Sequence, residues 1–180
     1  PGRGRAGWDW VWPLKPIPTL ALPLKGREHY YGAEQTVLVS NPSRNEARQF
    51  FIDSWRKYRN QEPLSAMEGV VVEVTIAHPE YHRVLESPDE FLDKDFPPEF
   101  GDVNPFLHLG MHVAIAEQLS IDQPQGIVAA FEALKMKLAS DHEARHKIID
   151  CLGEILWQSQ RHGTPPDVAS YLTCIEQVST

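Results

Sequence analysis

Histidines recur four residues apart at His78/His82, His108/His112 and His142/His146. On a helix that spacing stacks two imidazoles on one face, one turn apart, where both reach a single metal ion. Eight histidines scattered at random over 180 residues give only about 0.3 such pairs, so three pairs point to metal binding. Carboxylates accompany them. Glu117 follows His112 by five residues, roughly 140° round a helix, which suits a second ion or an orienting role. Asp150 and Glu154 continue from His146 at four-residue steps. The candidate metal ligands are therefore His108, His112, His142 and His146, with Glu117 and Glu154 supplying carboxylate. Imidazole with carboxylate suits zinc or non-haem iron better than magnesium or calcium.

The three pairs are not equivalent. Residues 105–120 are apolar nearly all round, with Phe106, Leu107, Leu109, Met111, Val113 and Ile115 leaving no wet face, so His108 and His112 are expected inside the protein. A buried imidazole needs partners for both nitrogens, which a metal with a second-shell acceptor, or a hydrogen-bond network, supplies. His142 and His146 fall at the border between an apolar stripe centred on Leu152 and a charged one with Lys147, Glu154 and Arg161. They also spell His142-Glu143-Ala144-Arg145-His146, the zinc-peptidase pattern. That reading is set aside: Arg145 and Lys147 place charge where such helices are apolar, and Ile149 and Leu152 stand where further ligands belong. His78 and His82 flank Pro79, which disfavours a helix at His78 and leaves it a capping role.

The elements that must position these residues announce themselves by their starts. Ser43 with Glu46, Ser65 with Glu68, Ser87 with Glu90, and Ser140 with Glu143 each have capping-box spacing. Asn104 and Asp122 are further caps, and Pro88 and Pro105 sit where a missing N–H costs nothing. Apolar stripes such as Phe51, Trp55 and Tyr58, or Ile148, Leu152 and Ile155, follow the helical period. Helices are predicted over 44–60, 66–77, 80–86, 88–93, 105–120, 123–139, 141–162 and 166–177. The β-branched run Val70–Ile76 is assigned to helix because Ser65 caps it and it has no partner strands. The fold class is all-α, a compact bundle of about five to seven helices, some short, with Asp93–Val103 as its longest loop.

Residues 1–38 differ from the rest, with five of the fifteen prolines, three of the five tryptophans, and a net charge of +2 against −10 for 41–180. They read as a disordered or mis-assigned N-terminal extension, translation starting near Val37–Val39, ahead of a single helical domain over 39–180. A net charge of −8 argues against nucleic acid or an anionic membrane as partner. There is no apolar run long enough to span a bilayer. Cys151 and Cys174 lack a CxxC spacing and read as separate buried small hydrophobes in a reduced, cytoplasmic compartment.

The run Asn104-Pro-Phe-Leu-His108-Leu-Gly-Met-His112, continuing through Glu117 to Pro124, resembles the proteobacterial family called domain of unknown function 1841. So do Asn41-Pro-Ser-Arg44, Trp55-Arg-Lys-Tyr58, His78-Pro-Glu-Tyr-His82, Cys151-Leu-Gly-Glu154 and Leu156-Trp-Gln. The resemblance spans about 41–175 in order and implies a small bacterial protein, with no mechanism attached. A looser, fold-level similarity is to hemerythrin-like metal-carrying bundles, from which the chain departs by lacking a His-x-x-x-Glu pair on a separate helix. Two functions remain open at this stage. One is a helical bundle holding one or two transition-metal ions; the other is a metal-free interaction module with a buried histidine hydrogen-bond network. Neither names a substrate, a protein partner or a reaction.

Overall fold

The computed structural model describes residues 43–96 and 103–179. The expected N-terminal extension lies outside these residues, as do Pro97, Pro98 and Gly101 of the predicted long loop. Among the described residues there are eight α-helices, one 3-10 turn and no strand. The count exceeds the expected five to seven, and each of the eight predicted spans holds one of the helices. The chain divides into two units, residues 1–108 and 109–180.

In the first unit, α1 (Arg44–Arg59) and α2 (Ala66–Ile76) both open on the predicted capping boxes, Ser43 with Glu46 and Ser65 with Glu68. Helix α1 buries Phe51, Ile52 and Trp55, and α2 buries Val71, Val72 and Val74. The β-branched run is helical, as its cap requires. Pro79 then starts a 3-10 turn (Pro79–Tyr81), followed by α3 (His82–Glu86) and α4 (Pro88–Phe91). The box expected at Ser87 does not form. Ser87 is also the residue that ends α3, its carbonyl takes the Glu90 and Phe91 amides at 3.0 and 3.2 Å, and the Glu90 carboxylate turns to Arg83. Buried Arg48 donates to the carbonyls of Leu92 and Lys94 at 2.7 and 2.8 Å, its guanidinium lying over Phe96 and Phe106.

Helix α5 (Pro105–Ile121) starts in the first unit, where Asn104 Oδ1 accepts the Phe106 and Leu107 amides as expected, and runs on into the second. The second unit adds α6 (Ile127–Leu138), α7 (Asp141–His162) and α8 (Val168–Ser179) around a core that includes Ile115, Phe131, Leu134, Ile148, Leu152 and Ile175. Helix α6 begins four residues later than predicted. Asp122 adopts a left-handed φ of 48°, and its carboxylate accepts the Gly126 and Val128 amides across the intervening turn, so it anchors the turn instead of capping the helix directly. Ser140 Oγ takes the Glu143 amide at 3.2 Å to start α7, and Gly163, at φ 65°, ends it in the left-handed conformation that glycine adopts without a Cβ clash.

The expectation for the cysteines is overturned. Cys151 on α7 and Cys174 on α8 are bonded to each other as a disulfide, their Cα atoms 5.8 Å apart. The short connection 163–167 folds α8 back along α7, which brings together cysteines 23 residues apart that the sequence pattern left unpaired. With them goes the argument for a reduced compartment that rested on cysteine usage. Among the described residues no helix is long and apolar enough to cross a membrane.

Candidate metal centre

Helix α5 is the spine of the site. From Pro105 to Leu119 none of its residues is exposed, in agreement with its all-round apolar sequence. His112 is 2% exposed and His108 is half-buried. They stand one turn apart on the one helix.

In the first unit His108 meets His78. Pro79 ends α2 just before it and holds His78 at φ −126°, ψ 67°, which turns the ring inward until it is 1% exposed. His78 Nδ1 lies 2.7 Å from the Val74 carbonyl oxygen. A carbonyl only accepts, so Nδ1 carries the hydrogen and donates it, and the tautomer leaves the Nε2 lone pair facing the other way. That Nε2 is 3.2 Å from Nε2 of His108, the two rings meeting edge to face with centroids 5.0 Å apart. Tyr81 packs against both, 5.9 Å from the His78 ring and 5.6 Å from that of His108. His82 is committed elsewhere: its Nε2 donates to the Thr75 carbonyl at 2.9 Å and its ring lies 4.4 Å from Trp55. The pair at 78/82 therefore does not act as a pair.

In the second unit His112 meets the two histidines of α7. The His146 ring is 4.9 Å from that of His112 and the His142 ring 5.9 Å from it, while His142 and His146 are 4.2 Å apart. Both α7 histidines are half-buried, at the border where the sequence pattern sets them. His112 and His146 bring ligand nitrogens within 4.8 Å, as His78 and His108 do.

The carboxylates do not join. Glu154 is exposed and accepts from Gln158 at 2.8 Å, and Asp150 is exposed beside Lys147. Glu117 is half-buried on α5, and burial pushes its carboxyl above the ordinary range, but it lies outside the close nitrogen set. The residue that sequence reasoning left out is His78. The signal was Pro79, taken to weaken a helical pair when its effect is to end the helix and swing one imidazole into the interior.

The chemistry open to this donor set is coordination by neutral nitrogen. Metal–nitrogen bonds of about 2.0 Å make a tetrahedral edge of about 3.3 Å. The 3.2 Å between His78 and His108 matches such an edge. Donation of the His78 N–H to a backbone carbonyl fixes that imidazole in orientation and tautomer, as outer-shell contacts do for imidazoles that bind metal.

No curated protein and no solved structure matches the chain. Residues 43–177 match the family described as a domain of unknown function, DUF1841, and on that match over most of its length the chain belongs to this family.

Proposed function

We propose that this protein binds transition metal through the imidazoles of α5 and those that face them within each unit, His112 with His146 in the second and His108 with His78 in the first. The observation that carries the reading is α5 itself: one helix presents two imidazoles one turn apart, and each has a further imidazole nitrogen within 4.8 Å. With no carboxylate and no thiolate in the set, zinc is the first candidate, ahead of the 2-His-1-carboxylate arrangement of non-haem iron.

The test is metal analysis of the untagged full chain, grown with zinc and iron available. Stoichiometric metal is expected, and His108→Ala and His112→Ala should each weaken zinc by more than the roughly 10–100-fold that loss of an outer-shell partner costs. A protein that purifies without metal and takes up none sinks the proposal.

A second reading has its own support, since 3.2 Å between two ring nitrogens is also a hydrogen-bond distance. On that reading the histidines form a metal-free polar network. Stability unchanged by chelator, together with a loss on His78→Ala, favours it.

A further inference from the structure

Resting on that reading, we infer that His142 is the transfer ligand through which the ion reaches and leaves the centre, not one of the groups that hold it. Three imidazoles of the second unit lie in series. His142 stands in the first turn of α7, His146 one turn further on, and His112 opposite them on α5. His142 and His146 are both half-buried, and His112 is 2% exposed. Each step is short, with ring centroids 4.2 Å apart from His142 to His146 and 4.9 Å from His146 to His112.

A buried ion cannot arrive with its water shell intact. It must exchange waters for protein ligands one at a time, and a metal site needs such a path as much as it needs ligands. In the second unit His112 is 2% exposed on α5, whereas His142 is half-buried in the first turn of α7. Exposed Asp141 and Glu143 flank His142, Asp141 shared with Lys135 and Arg145, and Glu143 adding an anionic group beside the imidazole that attracts a hydrated cation. His142 takes the ion by displacing water, His146 accepts it across the 4.2 Å step, and His142 is released as the inner ligands close. The step conserves charge and needs no other reactant.

A transfer ligand has a signature that a holding ligand lacks. It lowers the barrier in both directions, so removing it slows loading and release together and leaves their ratio, the dissociation constant, unchanged. The experiment is stopped-flow loading of the full chain with Zn2+, and stripping by a chromophoric chelator, for the wild type, His142→Ala and His142→Glu. Expected for His142→Ala is a fall of about tenfold in both rates with affinity within about threefold, and recovery of the rates in His142→Glu, whose carboxylate also captures zinc. Affinity lost about 100-fold through faster release makes His142 a holding ligand and overturns the inference. Unchanged rates overturn it too. Absence of zinc binding by the wild type is a separate result, which overturns the metal reading beneath it.

Discussion

Glu68 shows how one residue ties two elements together in the first unit. It is the third residue of α2, where its carboxylate takes the Ser65 amide at 2.7 Å, and it also receives Lys57 of α1 at 2.5 Å. The Lys57 ammonium, with the Ser65 amide behind it, pushes the buried carboxyl down from its ordinary 4.5 to about 2. A carboxylate depressed in the folded state adds stability above its unfolded value, and that stability drains away as pH falls from 4.5 towards 2. Lys57 is one-third exposed, so the gain is discounted for solvent screening. Glu68→Gln is expected to lower unfolding free energy at pH 7 by about 1–2 kcal/mol. Denaturant melts should then show the difference from wild type shrinking through that acid window. A difference that stays constant from pH 7 to pH 2 removes the ion pair from the account.

At the scale of elements, the joint between α7 and α8 makes the sharpest prediction. Closing a loop of 23 residues by a disulfide removes about 3 kcal/mol of unfolded-state entropy. The paired variant Cys151→Ala/Cys174→Ala, or the wild type under reductant, is expected to lose about 2–4 kcal/mol against denaturant. Wild-type protein that melts identically with and without reductant has no such bond. This joint also marks where local sequence stops being informative. The starts of α1, α2 and α5 were legible because a cap is a contact between near neighbours, Ser43 with Glu46 or Asn104 with Phe106. The failed box at Ser87 was not, since a competing partner, Arg83, and the end of α3 decide it. Cys151 and Cys174 belong to the same class: nothing in their spacing states that a five-residue connection reverses the chain. The site divides in the same way. His108, His112 and His146 were legible as helical pairs, whereas His78 needed the break at Pro79, and the outward turn of Glu154 needed the packing of α7.

For the molecule as a whole, metal binding becomes a statement about unfolding. An ion that binds the folded chain and not the unfolded one stabilises by mass action, by about 2.7 kcal/mol when its free concentration is a hundred times the dissociation constant. A domain of this size gains about 2–4 °C per kcal/mol, so the melting temperature should rise by about 5–11 °C. The rise should continue with each further tenfold of free zinc, because the linkage is logarithmic and does not saturate as occupancy does. Binding by histidines of the unfolded chain reduces the slope without reversing it. The net charge of −8 draws cations to many surface carboxylates, and that contribution fades with added salt while coordination by imidazole does not. Calorimetry of the full chain in zinc-buffered solution, at low and at moderate ionic strength, separates the two. A salt-resistant rise that disappears in the His108→Ala/His112→Ala chain places the ion on α5. A rise that the double variant retains in full assigns the zinc to the acidic surface, and leaves the histidines of α5 as a hydrogen-bonded core.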